Sequence, residues 1–409
     1  MARSLGLAAY RALARRGESL GTPPDIARPP GELLWIHAAE PGNMIAILDL
    51  ATRICAMRTG LTTLITQPES TNLAEQGAQP EPGILFDTVP TEHPDAVAAF
   101  LDHWQPGTCL WLWGGLRPNL VLETAQRNCP MILLDADPKG FDGRRDRWMP
   151  DLTFTLLAKF SAVMARSKAG QRRLIQIGFP KDRIEVTSPL LAGGQALTCA
   201  DSDLSDMSEA LGGRPVWFAA RVQPAEVPIV LAAHRQALRL SHRLLLILNP
   251  ASPADARETA LRAADDGFDV IQWEDAGEPD DTTQVMVIED SSDRGLFFRV
   301  APVSFLGSSL VQGGDGCDPF EAAALGSAVL YGPKVRRFLT SYSRLAAAGA
   351  ARIVNDAAAL GTAVTRLIAP DQAATMAHAG WDVVSHGAEL TDKVTDLVQE
   401  SLDQHLGRS

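Results

Sequence analysis

Short apolar runs alternate with longer amphipathic stretches along most of the chain. LLWIHA (Leu33–Ala38), LTTLIT (Leu61–Thr66), ILFDTVP, CLWLW (Cys109–Trp113), MILLDA (Met131–Ala136) and SAVMAR each read as a buried strand. Between them, the stretch ending near Met57, Asp95–Trp104, GGLRPNL onward to about Asn128, Asp151–Lys159 and Lys168–Ile177 read as helices. A second series begins at PVWFAA (Pro215–Ala220) and continues with a helix at about 225–240, LLLILNP and a helix near Pro253–Asp265. A strand at Asp269–Gln272, VMVIED (Val285–Asp290), a short helix at Asp293–Arg299 and PVSFLG follow. After Pro333 come a helix, the strand ARIVN (Ala351–Asn355) and helices to the end. Near-continuous apolar strands separated by helices predict parallel sheets covered on both faces, hence an α/β fold. From Ser188 the composition turns Gly/Ser/Asp-rich, so residues 191–214 read as a linker between domains at 21–190 and 215–385. A C-terminal helix is expected over 386–409.

Composition changes this picture little but excludes several functions. With 409 residues the chain exceeds the usual span of one core, and 46% apolar content suffices for two. A formal net charge of −12 excludes a sequence-independent grip on nucleic acid, which needs a basic face. Cys55, Cys109, Cys129, Cys199 and Cys317 are scattered, with no CxxC pair and no Cys/His spacing that suits zinc. No apolar run has bilayer-spanning length. At the N-terminus, Leu5, Ala8, Ala9, Ala12 and Leu13 share one helical face, flanked by Arg3, Arg11, Arg15 and Arg16. Residues 1–20 read either as a basic amphipathic helix lying on an anionic membrane surface or as an ordinary first helix.

The stretch richest in chemistry is Phe305–Pro333, FLGSSLVQGGDGCDPFEAAALGSAVLYGP. It predicts a strand end, a glycine-rich loop, a short helix opened by Pro319, and a second strand. Gly313, Gly314 and Gly316 leave the backbone accessible, and Glu321 falls in the first helical turn, placed to accept hydrogen bonds from sugar hydroxyls. The loop reads either as an anion site or as a βα turn that binds nothing. Cys317 within it reads as a reactive thiol or a small filler. In open α/β sheets ligands gather at the carboxyl ends of strands. Here those ends carry Glu40–Asn43, Trp113–Asn119, Arg221–Glu226, Asn249–Ser252 and Gly307–Glu321.

Several segments together resemble the 3-deoxy-D-manno-octulosonic acid (Kdo) transferases. They are RPPGELLWIHAAEPGN, FLDHWQPGTCLWLWGGLRPNL, Ser309-Leu310-Val311 with Gly313-Gly314 and Asp318-Pro319-Phe320-Glu321-Ala322, and Tyr331-Gly332-Pro333 with Phe338. The resemblance is collinear from about Tyr10 to the final helices. It implies a GT-B fold: two Rossmann-like domains facing across a cleft, with the C-terminal helix crossing back to the first. It also implies a metal-independent, inverting transfer of Kdo from CMP-Kdo to a lipid A precursor at the cytoplasmic face of the bacterial inner membrane. The donor-side residues would be Ser309, Gly313, Gly314, Asp318, Glu321, Arg221, Glu226 and Ser292. Those on the acceptor side would be His37, Gly42, Asn43 and Asn119.

The departures concentrate at the site. Asn43 stands where the family has its glutamate base, leaving Glu40, three residues upstream, as the candidate base. The family's Asn-Ala-Arg becomes Asp135-Ala136-Asp137, its Ser-Thr-His becomes Arg221-Val222-Gln223, and its Arg-His-Pro becomes Asn249-Pro250-Ala251. Its Gly-Glu-Leu becomes Ser292-Asp293-Arg294, and its His-Asn pair becomes Cys317-Asp318. Three readings therefore stand: an active Kdo-transferase-like glycosyltransferase; an inactive paralogue that binds nucleotide or scaffolds; and a transferase with another donor or acceptor.

Overall fold

The computed structural model describes residue 10 and residues 14–15, 26–39, 44–67, 82–143, 150–190, 197–273, 279–289 and 292–406. The chain divides into two compact units, Met1–Ala192 with Gly387–Ser409, and Gly193–His386. The N-terminal helix expected over 1–20, apart from Tyr10, Ala14 and Arg15, lies outside the described residues, as do Glu40, Gly42 and Asn43.

The first unit holds β1 (Glu32–Ala38), β2 (Leu61–Gln67), β3 (Ile84–Thr88), β4 (Thr108–Leu112), β5 (Met131–Ala136), β6 (Ala162–Ala165) and β7 (Ile184–Val186). They form one parallel sheet in the order β3-β2-β1-β4-β5-β6-β7. The second unit repeats the plan with β8 (Val216–Val222), β9 (Leu245–Pro250), β10 (Val270–Gln272), β11 (Val285–Val287), β12 (Val303–Leu306), β13 (Ala328–Tyr331) and β14 (Ala351–Ile353). Its order is β10-β11-β9-β8-β12-β13-β14, also parallel. Each unit is thus a doubly wound parallel α/β sheet, as the apolar runs predict. Chain order reverses between β1 and β4 in one sheet and between β8 and β12 in the other, and such switch points open a crevice at the strand ends.

Strand alternation sorts side chains to the two faces. On β1, Leu33 and Trp35 join a core with Trp104, Trp111 and Phe160, while Leu34, Ile36 and Ala38 join another with Ile47, Leu50 and Ile65. That second core is completed by the end of the chain. The final helix runs Pro370–Leu406, and Leu390, Val394, Val398 and Leu402, four residues apart, are buried against β1 neighbours. Arg58 fastens it: Nε and Nη2 donate to both Glu32 oxygens at 2.6 and 2.8 Å, and Nη1 donates to Gln399 and Asp403 at 2.9 and 2.8 Å. Arg58→Met is expected to destabilise the first unit by about 1–3 kcal/mol, mostly through the bidentate Glu32 pair, because Asp403 is largely exposed. Faster proteolysis within 387–406 is the readout, and a wild-type cleavage rate would refute the fastening role.

Two features depart from the expected plan. β7 has no counterpart in the sequence reading: it is three residues long at the sheet edge, with Glu185 and Val186 exposed, too little pattern to register. The stretch read as a linker with a short helix at its end holds that helix, at residues 201–211, but it is packed: Met207 and Leu211 are buried, and Gly295 packs against Leu197 and Thr198.

His234 illustrates how the second core tolerates a polar ring. Its Nδ1 accepts from the Trp217 indole at 3.1 Å and its other nitrogen meets the Gln284 carbonyl at 2.9 Å, so the neutral imidazole satisfies both partners. Burial lowers its pKa to about 3. The folded state thus refuses a proton that the unfolded chain accepts near the ordinary histidine value. Its contribution is complete above that value and is lost as pH falls towards about 3. His234→Gln should flatten the pH dependence of the second unit's unfolding between about pH 6 and 4.5 by up to ~1.4 kcal/mol per pH unit. Denaturant titrations across that range test this, and an unchanged slope refutes it.

Candidate functional site

The second unit's site is built where β8 and β12 end. Both strands finish in unusual backbone. The register of β8 on β9 shifts between Ala219 and Val222, and Arg221 lies in this bulge at φ 53°. After β12, Gly307 donates to the Ala220 carbonyl at 2.8 Å, and Ser308 is also left-handed at φ 53°. A Cβ at Gly307 would lie 2.7 Å from the Arg221 carbonyl oxygen, so only glycine lets the two chains approach this closely.

Glu226 binds these ends together. It is fully buried; one oxygen accepts from the amides of Gln223 and Ser308 at 2.9 and 2.6 Å, the other from Ser309 and Leu310 at 2.9 and 2.7 Å. Three successive amides converging on an anion make a nest, the backbone concavity that elsewhere holds phosphate. Here the protein's own carboxylate fills it. Expected among the donor contacts, Glu226 instead shapes the loop. The same holds for Ser309: it is buried, its Oγ donates to the Leu306 carbonyl at 2.6 Å and accepts from the Gly332 amide at 2.8 Å.

Beyond the nest the loop opens. Gly313 has φ 90° with free space where a side chain would be, whereas a Cβ at Gly314 would lie 2.1 Å from the Ser308 carbonyl oxygen. Asp318 caps the helix Pro319–Ala324 by accepting from the Phe320 amide at 2.9 Å. Glu321 follows in the first turn, partly exposed, with Arg294 Nη2 3.6 Å from its carboxylate. Arg221 and Ser292 are exposed at the same strand-end face. Asn249, closing β9, is buried and its Oδ1 meets no hydrogen-bond partner. Cys317 is not a reactive thiol. It is buried, and burial pushes its pKa up to about 12; Arg221 and Arg294 pull it down, Glu321 and Glu226 up.

In the first unit, His37 ends β1 in a fully enclosed setting. Its Nδ1 shares the Thr66 hydroxyl at 3.0 Å, the Trp35 indole donates to the same oxygen at 2.8 Å, and Trp111 meets the ring edge-on at 4.4 Å. Burial, helped by the Arg117 charge, lowers its pKa to about 3. A neutral, packed ring of this kind supports the β1 end. Asn119 is buried too, donating from its amide N–H to Glu92 Oε2 at 2.8 Å and from Nδ2 to the Glu92 carbonyl at 2.7 Å. Glu92 also accepts from the Leu120 amide at 3.3 Å and pairs with Arg117 at 3.6 Å, so it caps the helix Pro118–Gln126 from another part of the chain. Sequence reasoning passed over Glu92, because its partners lie 27 residues away. Asp135 and Asp137 are likewise engaged internally. Asp135, left-handed at φ 57°, accepts from the Leu190 amide at 3.0 Å, and Asp137 pairs with Arg166 Nε at 2.6 Å.

Residues 14–191 match the family model described as 3-deoxy-D-manno-octulosonic-acid transferase (kdotransferase). The 3-deoxy-D-manno-octulosonic acid transferase of Haemophilus influenzae is 24% identical over 398 residues, 96% of this chain and 92% of that protein. The Bordetella pertussis enzyme of the same description is 27% identical, across 92% and 90% of the two chains. The chain is thus similar to Kdo transferases along nearly its whole length, and residues 14–191 carry their family model. A probable mitochondrial member from Arabidopsis thaliana, 26% identical over 77% of this chain and 72% of its own, extends the relationship beyond bacteria. The chain is a Kdo-transferase-like glycosyltransferase. Its carboxylates at 135, 137 and 226 hold the local backbone, whereas Glu321 and Arg294 stay oriented to the open loop.

Proposed function

We propose that this chain transfers Kdo from CMP-Kdo to a lipid A precursor, with inversion and without a metal, at the cytoplasmic face of the inner membrane. The observation that carries this reading is collinear similarity to Kdo transferases across 92–96% of the chain, which spans both units. The second unit supplies the donor side: a switch-point loop open at Gly313, with Glu321 placed to accept from ribose hydroxyls and Arg221 and Arg294 for an anionic group. Ser292, Asp318 and the Gly313–Gly314 backbone line this side. On the acceptor side, Glu40 acts as general base and Asn43 holds a hydroxyl by hydrogen bonding, with Gly42 allowing close approach. Residues 1–20, with Arg3, Arg11, Arg15 and Arg16 beside Leu5, Ala8, Ala9, Ala12 and Leu13, are the segment suited to an anionic membrane surface.

A second reading, a nucleotide-binding protein without transfer, is favoured by one observation: Asn43 stands where the family carries its base. Calorimetry with CMP followed by transfer assays separates them. The transferase reading expects CMP binding, Kdo transfer, and a loss of roughly 10²–10⁴ in rate for Glu40→Gln. Binding without transfer, restored by Asn43→Glu, would establish the second reading. Transfer unaffected by Glu40→Gln removes Glu40 as base.

A further inference from the structure

Arginines buried in the second unit are given acceptors. Arg214 donates to the carbonyls of Arg243, Asp280 and Thr283 at 3.0, 2.7 and 2.6 Å, and Arg299 donates to those of Leu197 and Gly295, both at 2.8 Å. Arg294 is the contrast. Its side chain is 11% exposed, yet Nε and Nη1 are buried with no hydrogen-bond partner. Its nearest carboxylate, Glu321, stands 3.6 Å from Nη2, beyond hydrogen-bond range. A guanidinium taken out of water without acceptors is costly, and protein interiors rarely retain one unless something else completes it.

Three facts indicate what completes it. The remaining nitrogen, Nη2, is the one solvent reaches, on the side of Glu321 and the glycine-rich loop. Arg221 is exposed, and the charges of both arginines reach the buried Cys317 thiol. The nest at Ser308–Leu310, which would otherwise take an anion, is closed by Glu226. An anion arriving at this loop therefore has a guanidinium as its partner, met through Nη2, the nitrogen that solvent reaches, in a charge-assisted hydrogen bond.

Building on the donor reading above, we infer that Arg294 binds the phosphate of the nucleotide donor, with Glu321 holding the empty guanidinium in place through its opposite charge. Ribose hydroxyls then pair with Glu321 and phosphate oxygens with Arg294, so adjacent residues read adjacent parts of one nucleotide. Arg221 adds positive charge at the rim.

The test compares ligands with and without the phosphate on the full-length protein. Calorimetry measures CMP and cytidine binding to wild type, Arg294→Met and Arg294→Lys. The expected result is that the wild type prefers CMP, that Arg294→Met loses roughly tenfold of that preference while cytidine binding is kept, and that Arg294→Lys falls between. If Arg294→Met does not fold, Arg294→Lys carries the test, since it keeps the charge and loses the Nη2 donor. An unchanged CMP-to-cytidine ratio in the variants overturns the inference and leaves the donor reading intact. Equal losses for both ligands, with a lowered melting temperature, also overturn it by making Arg294 structural. Wild type that ignores CMP but binds UMP or GMP in an Arg294-dependent way upholds the inference and removes CMP as the nucleotide. Wild type that binds no nucleoside monophosphate overturns both.

Discussion

Glu226→Ala is expected to lower the stability of the second unit by on the order of 4 kcal/mol or more and to abolish the proposed nucleotide binding. The magnitude follows from what the carboxylate does. Four backbone amides, at Gln223, Ser308, Ser309 and Leu310, donate to it at 2.6–2.9 Å in a fully buried setting. Each donor left unpaired costs about 1–3 kcal/mol, and water entering the vacated space recovers part of that. Glu226→Gln retains the shape but turns one amide N–H₂ towards two N–H donors, so it is expected to fall between. The loss of binding has a separate cause. The ends of β8 and β12 are held in register by these bonds, and the loop carrying Gly313 to Glu321 starts from that point. Denaturant unfolding combined with CMP titration checks both parts. A variant within about 1 kcal/mol of wild type would show that the loop has another anchor.

The second large effect is at Gly314. Its substitution by alanine drives Cβ to 2.1 Å from the Ser308 carbonyl oxygen and 2.6 Å from its carbon, both backbone atoms. Ser308 cannot retreat cheaply. Its amide is tied to Glu226, its oxygen accepts from Gly316, and its hydroxyl donates to the Arg221 carbonyl at 2.9 Å. Gly314→Ala is therefore expected to cost roughly 3 kcal/mol or more and to displace the loop. Gly313→Ala is the matched control. It has φ 90°, which alanine adopts with strain, but nothing lies within 4 Å of the added carbon. Its cost should be about 1–2 kcal/mol, with nucleotide binding largely retained. Thermal unfolding and CMP titration of the pair decide the matter; equal effects would mean that conformation, not collision, governs this loop.

The strands were legible because a parallel sheet covered on both faces needs unbroken apolar runs, and LLWIHA, CLWLW and LLLILNP are such runs. β7 was not, because an edge strand with two exposed residues out of three carries no such demand. Of the site, Gly313, Gly314 and Glu321 stood out through local chemistry: glycine spacing, a proline at a helix start, an acid in the first turn. Glu226 also stood out, but in the wrong role. Only the fold reveals that amides from 308–310, over 80 residues away, consume both of its oxygens. The burial of Arg294 with two unpaired nitrogens could not be inferred from Ser292-Asp293-Arg294.

Hydrophobic order along the chain thus determined, by itself, that there are two doubly wound parallel sheets, and the collinear motifs carried the resemblance to Kdo transferases. Burial periodicity is a local property that each strand must satisfy on its own. What only the tertiary structure decided is which charged groups serve the backbone and which remain for a ligand. Glu92, Asp135, Asp137 and Glu226 are spent on amides or on an arginine, whereas Glu321 and Arg294 are left facing the open loop. A carboxylate's role depends on the donors that reach it, and those donors come from distant segments joined only when the strands align.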